Sequence, residues 1–458
     1  MRYVSTRGRA PELGFSDVLL AGLADDGGLY VPEFWPSLPE IAPGSSYAET
    51  AAAVMAPFVG DELGAGTLER LCAEAYATFR HPAVCPLVQL DTDTWLLELF
   101  HGPTLAFKDV ALQLVGRMFD HVLGQRNERV TIVGATSGDT GSAAIDGVKD
   151  CAHVDIIILY PAGRVSDVQR RQMTTVESAN VHTVAIDGTF DDCQDLVKAM
   201  FADAPFRDRL GLSAVNSINW ARVMAQVVYY VTSTQSLGGH PLRFSVPTGN
   251  FGNVLAGWVA KQMGLPVEHF VIGSNTNDIL TRWLDTGTMT ARAVVPTLSP
   301  SMDIQVSSNV ERLLFELNDR DGGLTDEQLN RFRKVGEVGL EPDQTKRLRA
   351  DFSGAQLNDH DTLSVMRNVY ETTGYLLDPH TAVGLGAQRC QLAEPGVTSV
   401  VLGTAHAAKF PDAVERATGV RPELPTHLAD LFDRAERLNS LPNDLAAVER
   451  FVDSVVTV

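Results

Sequence analysis

Residues 129–150 read RVTIVGATSGDTGSAAIDGVKD, and this stretch decides the fold. An apolar run of strand-forming residues passes through a turn rich in Gly, Ser and Thr into a pattern typical of a helix. The same alternation recurs along the chain, with further apolar strands predicted at five places. These are 154–160, 180–186, 242–248, 268–274 and 398–404. Near-continuous apolar strands separated by helices predict parallel sheets covered on both faces, and hence an α/β fold.

The domain organisation is predicted from where the alternation of apolar strands and helices begins and ends. Residues 1–90 carry helical stretches without it, and we expect a separate N-terminal domain there. A smaller α/β domain is then predicted over 91–240 and a larger one over 241–458. The polar segment 318–360 shows no clear strand and is predicted to be a helical excursion from the larger domain. Amphipathic helices are expected beyond about residue 422.

Composition excludes several classes of function. The 458 residues carry a net charge of −20, which argues against a nucleic-acid binder because that class needs a basic face. The first residues lack the apolar stretch of a signal peptide, and no window approaches 18 apolar residues, so we expect a cytoplasmic protein without a membrane segment. The five cysteines lack metal-ligand spacing, which predicts free thiols and no metal site. An acidic chain must hold any anionic substrate at a local cationic site.

One strand–turn–helix junction is suited to a phosphate. In an open α/β sheet, ligands lie at the carboxyl ends of the strands, where helix N-termini offer unpaired N–H groups. In PTGNFGNVLAG (247–257), Gly249 and Gly252 let the backbone curl around an anion, while Asn250 and Asn253 can donate hydrogen bonds.

A second junction, ATSGDTGSAA (135–144), is suited to a carboxylate or a smaller anion. It offers the hydroxyl groups of Thr136, Ser137 and Thr140 beside the backbone N–H groups. Neither junction matches a Walker A or a Rossmann fingerprint, so a nucleotide is not indicated. The alternative for both junctions is that the glycines serve only tight packing.

Lys108 is one of only seven lysines and lies in the apolar stretch HGPTLAFKDV (101–110). Apolar periodicity predicts a helix over 108–123 with Lys108 in its first turn. A helix N-terminus disfavours a cation, and burial favours the neutral amine that a Schiff base requires. The alternative is that the ammonium group reaches water along its apolar stem. An imine-forming lysine with an Asn/Gly phosphate loop is the combination that pyridoxal phosphate needs.

Six segments, in this order, resemble the threonine synthase family in its longer bacterial and fungal branch. They are HGPTLAFKD, GATSGDTGSAA, NSINWARVMAQVVYY, PTGNFGNVLAG, SMDIQVSSNVERLLF and LGTAHAAKF. The likeness begins with YVSTRG near the start and runs to about residue 420. It implies a β-type (fold type II) pyridoxal-phosphate enzyme, with two parallel-sheet α/β domains plus the N-terminal domain. The implied reaction is a carbon–oxygen lyase step of threonine biosynthesis, from O-phospho-L-homoserine and water to L-threonine and phosphate.

The resemblance also implies roles for individual residues. Lys108 would form the aldimine with pyridoxal phosphate and move protons among Cα, Cβ and Cγ of the substrate. Thr404 would lie beside the pyridine nitrogen. The cofactor phosphate would be held by Gly249, Asn250, Phe251, Gly252 and Asn253. The substrate carboxylate would be held by Thr136, Ser137, Gly138 and Thr140. The substrate phosphate would be held by Asn216, Ser217 and Arg222, because a guanidinium matches phosphate oxygens. Arg222 could instead form an ordinary surface ion pair.

Asp139 departs from a pattern common among β-type enzymes, where an asparagine in this turn reaches the 3′-oxygen of the cofactor. The carboxylate of Asp139 and the 3′-oxygen of the cofactor would both be anionic and would repel each other. Asp139 is therefore expected either to be protonated or to turn towards a cation.

Other functions stay open at this point. A phospholyase acting on O-phosphorylated amino acids would share most of these residues. Another β-type lyase, such as a dehydratase, would have no substrate phosphate to bind, and a non-catalytic binder of phosphorylated ligands would not need Lys108. The sequence is compatible with a monomer or a homodimer.

Overall fold

The computed structural model describes residues 1–214, 216–391 and 396–456. The N-terminal part pairs two short antiparallel strands and packs three helices against the rest of the chain. Its elements are β1 (Tyr3–Ser5), α1 (Phe15–Ala21), β2 (Tyr30–Pro32), α2 (Tyr47–Val59) and α3 (Thr67–Tyr76).

Strands and helices then alternate as the sequence predicts. The next elements are β3 (Leu87–Gln89), β4 (Thr94–Glu98), α4 (Lys108–Arg126), β5 (Val130–Ala135), α5 (Asp139–Val148), β6 (Val154–Pro161), α6 (Asp167–Thr174), β7 (Val181–Asp187), α7 (Phe190–Ala202), α8 (Ala204–Leu210), β8 (Leu212–Ser213) and α9 (Trp220–Ser236).

The second half of the chain continues the alternation and ends in a strand and a helix. Its elements are β9 (Leu242–Pro247), α10 (Gly252–Gln262), β10 (Val267–Ser274), α11 (Ile279–Thr286), β11 (Thr288–Thr290), α12 (Val310–Leu317), α13 (Gly322–Val335), β12 (Glu337–Gly339), α14 (Pro342–Asp351), β13 (Phe352–Gln356), α15 (Asp359–Thr373), α16 (Pro379–Cys390), β14 (Thr398–Gly403), α17 (Pro411–Thr418), β15 (Asn439–Pro442) and α18 (Leu445–Val455).

Two sheets organise these elements. The small sheet has the strand order β15-β7-β6-β5-β8, and all its strands are parallel. The large sheet has the order β13-β10-β9-β14-β4-β3 and is parallel except for the antiparallel edge pair of β3 and β4. Every residue of β6 is buried, as expected of a parallel strand covered on both faces. All six apolar strands predicted from the sequence are present, which confirms the α/β fold of two parallel-sheet domains.

The polar and C-terminal segments contain the expected helices and also strands that the sequence did not indicate. The segment 318–360 does contain the helices α13 and α14, but it also contributes β12 and the edge strand β13 of the large sheet. The part beyond residue 422 forms β15 before its single long helix, α18, rather than helices alone. The domain boundaries themselves stay a prediction. The large sheet takes β4 from before residue 100, and the small sheet takes β15 from after residue 430.

The helix α9 connects the parts of the fold. It is apolar on nearly all sides, and such a helix is buried rather than lying on the surface. It contacts α2 of the N-terminal part, α4 and α10. Its central position places Arg222 and the pair Tyr229 and Tyr230 in the interior.

Two glycines bring α4 and α5 close together. A Cβ atom at Gly116 of α4 would lie 2.0 Å from the carbonyl oxygen of Gly147 in α5, so neither helix could approach so closely with a larger residue there. This packing fixes the N-terminus of α4 beside the N-terminus of α5, where Lys108 and Asp139 are the first helical residues.

No helix in the described ranges has both the length and the apolar character needed to cross a membrane.

Candidate active site

A cavity lies at the carboxyl ends of β9 and β14, two neighbouring strands of the large sheet. The ends of β9 and β14 contribute Thr248 to Asn253 and Thr404, and Lys108 opens α4 at its wall. The predicted site residues that line the cavity are Lys108, Thr140, Ser217, Arg222, Gly249, Asn250, Phe251, Gly252, Asn253 and Thr404.

Four of the remaining predicted residues belong to two turns beside the cavity. In the 136–140 turn, the hydroxyl oxygen of Thr136 accepts hydrogen bonds from the N–H groups of Gly138, at 3.0 Å, and Gly141, at 2.9 Å. Thr136 therefore shapes the turn, while Ser137 is exposed. In the other turn, the side chain of Asn216 is exposed and accepts a hydrogen bond from the Ile218 N–H at 3.1 Å.

Lys108 is buried, with 8% of its surface exposed, so the alternative that its ammonium reaches water is wrong. The segment before it runs beside residues 404–406, with Phe107 N–H donating to the Thr404 carbonyl at 2.9 Å and His406 N–H donating to the Leu105 carbonyl at 3.0 Å. Burial lowers the pKa of the Lys108 amine. Asp139 opposes this shift, and the cations of Lys409 and Arg222 add to it. The net effect shifts the Lys108 amine towards its neutral, nucleophilic form.

Asp139 faces two cations. Its Oδ1 lies 2.9 Å from Lys409 Nζ, and its Oδ2 lies 3.4 Å from Lys108 Nζ. Burial alone would raise the pKa of Asp139, but the positive charges of Lys409 and Lys108 hold it well below its usual range. Of the two alternatives drawn from the sequence, the geometry is that of an ionised carboxylate turned towards a cation.

The loop after β9 presents donors to the cavity. Phe251 adopts a left-handed conformation (φ 64°) as the residue that caps α10, and its buried ring packs against Phe352. The loop is closely covered, since a Cβ atom at Gly249 would lie 2.8 Å from the Ser301 carbonyl oxygen. Residues 249–253, including the start of α10, line the cavity, so the positive end of this helix dipole lies at its wall.

Two tyrosines fix the orientation of Asn253. The Tyr229 hydroxyl donates to Asn253 Oδ1 at 2.5 Å, and the Tyr230 hydroxyl donates to the same oxygen at 3.0 Å. Since this oxygen is occupied, the amide presents its Nδ2 donor, which has no partner in the described part of the chain. An unpartnered buried donor at a helix N-terminus is what an anion such as a phosphate requires.

Arg222 is buried on α9 with 4% of its surface exposed, so it does not form a surface ion pair. Its Nε and Nη1 have no hydrogen-bond partner among residues 1–214, 216–391 and 396–456. Burial lowers its pKa to about 10. A buried guanidinium without an anion is costly, and a bound phosphate would supply the missing partner.

Sequence reasoning missed several residues at this site. Ser301 donates to Asp139 Oδ2 at 3.3 Å, and Gln169 donates to Asp139 Oδ1 at 2.8 Å. His380 accepts a hydrogen bond from the Ser301 N–H at 3.3 Å and faces Asp378 with its other ring nitrogen at 2.9 Å. Of these, only Ser301 lies in one of the six family-like segments, SMDIQVSSNVERLLF, and its position there is the sequence signal that pointed to it.

The residues present fit pyridoxal phosphate. A buried amine at Lys108, a donor-rich helix N-terminus at 249–253 and a hydroxyl at Thr404 line one cavity. The unpartnered Nδ2 of Asn253 supplies an observation independent of the sequence pattern. In the described ranges, no group of His, Cys, Asp and Glu side chains could hold a metal ion.

Three family models match the chain in succession. Residues 2–76 match the threonine synthase N terminus, residues 81–334 match the pyridoxal-phosphate dependent enzyme family, and residues 381–452 match the threonine synthase C-terminal region.

Full-length relatives agree with these matches. The chain is 53% identical to the threonine synthase of Pseudomonas aeruginosa over 99% of this chain and 98% of that protein. It resembles the crystal structure of pyridoxal-phosphate-bound threonine synthase from Brucella melitensis with a TM-score of 0.97 and 53% identity, covering 100% of both chains. The yeast threonine synthase structure matches with a TM-score of 0.93 and 38% identity, covering 99% of this chain and 98% of that one. This chain therefore belongs to the threonine synthase family of pyridoxal-phosphate-dependent enzymes.

Proposed function

We propose that this protein is a threonine synthase that converts O-phospho-L-homoserine and water to L-threonine and phosphate. The observation that carries the proposal is one cavity that holds both the buried amine of Lys108 and the guanidinium of Arg222, whose Nε and Nη1 have no partner among the described residues. The first suits covalent attachment of pyridoxal phosphate, and the second suits a phosphate on the substrate. Membership of the threonine synthase family supports the same reaction.

The cofactor phosphate is assigned to the loop from Gly249 to Asn253. Donors there are the N–H groups that open α10 and the Nδ2 of Asn253, whose other amide atom is held by two tyrosines. The hydroxyl of Thr404 is assigned to the pyridine nitrogen. A neutral hydroxyl at that nitrogen does not require it to be protonated.

The substrate is assigned to two anion sites on opposite elements. The turn 136–140 and the N-terminus of α5 suit the carboxylate, with Thr140 lining the cavity. Arg222 and Ser217 suit the phosphate, with Asn216 at the rim of the same turn. A single buried guanidinium explains how a chain of net charge −20 retains an anionic substrate.

Pyridoxal phosphate, when bound, supplies an electron sink that makes the protons on the amino-acid carbons acidic. Lys108 then acts as the base and acid at these carbons, because its flexible side chain can reach several neighbouring atoms. Its lowered pKa favours the neutral form of the amine, which can accept a proton. Arg222 retains the departing phosphate, and the retained phosphate directs water to Cβ before an oxo acid can leave.

A phospholyase is the second candidate, and it would use the same residues until phosphate departs. A dehydratase is disfavoured because it gives Arg222 no anion to bind. A non-catalytic binder is disfavoured because it gives the buried Lys108 no role.

The deciding experiment uses the full-length protein loaded with pyridoxal phosphate. It is incubated with O-phospho-L-homoserine while phosphate, threonine and 2-oxobutyrate are quantified together. We expect equal amounts of threonine and phosphate, abolished by Lys108→Ala along with the visible absorption of the lysine-bound cofactor. Lys149→Ala is the matched control, because Lys149 pairs with Asp146 at the surface and should leave turnover unchanged. Phosphate with 2-oxobutyrate would indicate a phospholyase, and no turnover would indicate a binding protein.

A further inference from the structure

A second lysine, Lys409, is completely buried next to the candidate active site. It ends a short 3-10 turn, Ala407–Lys409, that follows β14, and none of its surface is exposed. Its Nζ donates to the backbone carbonyl of Thr104 at 2.7 Å and pairs with Asp139 Oδ1 at 2.9 Å. Burying an ammonium group is costly even when it is paired, and the reaction proposed above gives Lys409 no substrate to bind. Its role must therefore lie in what it does to Asp139.

The two oxygens of the Asp139 carboxylate make contacts of different length. Oδ1 makes short contacts with Lys409, at 2.9 Å, and with Gln169 Nε2, at 2.8 Å. Oδ2 makes long contacts with Lys108, at 3.4 Å, and with Ser301 Oγ, at 3.3 Å. Charge-assisted hydrogen bonds are usually about 2.7–2.9 Å, so of the two lysine contacts only the one with Lys409 has full strength. Lys108 is held by the weaker side of the same carboxylate.

We infer that Lys409 is a positioning residue: it binds Asp139 through Oδ1 and so leaves Lys108 loosely held and free to use its amine. The inference rests on the role proposed for Lys108, and it adds a requirement to that role. A carboxylate paired with Lys108 alone would form a tight ion pair and hold its proton. Because Asp139 is shared with the closer Lys409, it can orient Lys108 without holding it in the protonated form.

The charged groups around Lys108 come from four elements. Asp139 faces it from α5, Lys409 from the turn after β14, and Arg222 from α9, while His380 of α16 faces Asp139. The two cations nearest to Lys108 lower its pKa, and the carboxylate raises it. Removing Lys409 therefore removes its electrostatic repulsion of the Lys108 ammonium. It also leaves Lys108 as the one lysine of the described residues that pairs with Asp139. Both changes raise the pKa of the Lys108 amine.

The experiment measures the Lys108 amine directly, without turnover. The full-length protein, stripped of pyridoxal phosphate, is acetylated with acetic anhydride over a pH series, and the peptide containing Lys108 is quantified by mass spectrometry. We expect Lys409→Met to move the midpoint of Lys108 acetylation to higher pH by about 1 unit, the lower end of the effect of a nearby charge. Lys409→Arg keeps the positive charge and should restore the midpoint most of the way. Lys198→Met removes an exposed lysine that pairs with Asp195 and should leave the midpoint unchanged.

A second variant keeps the inference testable if Lys409→Met does not fold. Circular dichroism checks the folding of every sample. Asp139→Asn should move the midpoint to lower pH by about 1 unit or more, since Lys108 then faces Lys409 without the intervening carboxylate. In the cofactor-loaded protein, the pH midpoint of the visible band should shift in the same directions. Equal midpoints in folded Lys409→Met and wild type overturn the inference, as does an unchanged midpoint in Asp139→Asn. These readouts stay interpretable even if the protein forms 2-oxobutyrate rather than threonine.

Discussion

The side-chain amide of Asn309 donates a hydrogen bond to the backbone carbonyl of Ser217 at 3.0 Å. The same Nδ2 lies 3.0 Å from the carbonyl of Asn250, and the Asn309 N–H donates to that carbonyl at 3.1 Å. One fully buried residue, immediately before α12, thus joins the candidate substrate-phosphate turn to the candidate cofactor-phosphate loop.

Asn309→Ala should loosen the connection between these two segments. The carbonyls of Ser217 and Asn250 would lose a buried donor, and each such loss costs about 1–3 kcal/mol. We expect the KM for O-phospho-L-homoserine to rise about tenfold, with a smaller change in kcat. Steady-state kinetics and the thermal melting temperature check this. Asn358→Ala is the control, because it removes the exposed N-cap of α15 and should lower the melting temperature without changing KM.

Arg222→Met should separate stability from function. An unpartnered buried guanidinium destabilises the protein without substrate, so replacing it by an apolar side chain should raise the free energy of unfolding by about 1 kcal/mol or more. The same change should raise the KM for O-phospho-L-homoserine and increase the ratio of 2-oxobutyrate to threonine. Melting curves and product analysis measure both effects. A lower melting temperature, or an unchanged product ratio, contradicts the assignment. Arg209→Met is the control, because it removes an exposed arginine paired with Asp453. It should change neither the free energy of unfolding by this amount nor the KM and the product ratio.

The double variant Tyr229→Phe with Tyr230→Phe should weaken cofactor binding. Both hydroxyls that hold Asn253 Oδ1 are then absent, so the amide is free to rotate and its Nδ2 is no longer fixed towards the phosphate. We expect the Kd for pyridoxal phosphate to rise about tenfold, equivalent to one hydrogen bond of about 1.4 kcal/mol. Fluorescence or absorption titration gives this Kd. Tyr3→Phe removes a buried hydroxyl that donates to the Phe58 carbonyl in the N-terminal part and should leave the Kd unchanged.

Stability should fall on mild acidification because of His406. Its Nδ1 accepts a hydrogen bond from the Ala408 N–H at 3.1 Å and caps the turn that carries Lys409. Burial lowers its pKa from 6.5 to about 4, so the unfolded chain binds a proton more readily than the folded protein does. The loss of stability begins as the pH falls through about 6.5 and continues until it falls below 4, and it amounts to about 2 kcal/mol at pH 5.

His406→Asn tests this, since an asparagine carbonyl can still accept from the Ala408 N–H but does not titrate. Urea unfolding at pH 7.5 and pH 5 should show a smaller loss in the variant than in wild type. His360→Asn is the control, because His360 is exposed and should leave the pH dependence as it is. The same loss of stability in wild type and His406→Asn would count against a role for this histidine.

The strands that are apolar along their length could be predicted from sequence, because burial on both faces of a parallel sheet demands that composition. The strand β13, with the sequence FSGAQ, could not, since it is an edge strand in which only Phe352 is fully buried. The strand β15, NSLP, is mostly exposed and carries no periodic signal at all. Edge strands are specified by the backbone of their neighbour rather than by their own side chains.

The candidate site also contains residues that could be predicted from sequence and residues that could not. Lys108 and the 249–253 loop could be identified because glycine, asparagine and lysine stand out against their local surroundings. Lys409 lies in the segment LGTAHAAKF, but its role could not be predicted, since its partners Asp139 and Thr104 lie some 270 and 305 residues away in sequence. A buried ion pair between distant residues leaves no periodicity in either segment, so only the folded structure reveals it.

The pairing of β15 with β7 has a consequence for how the protein is made. The ribosome releases β5, β6, β7 and β8 long before residues 439–442, which complete the edge of their sheet. Until then β7 presents an open edge, and open edges are where nascent chains associate wrongly. We expect the small sheet to reach its final form only after translation has passed residue 442, so a strand made about 250 residues after β7 is the one that covers its open edge against aggregation.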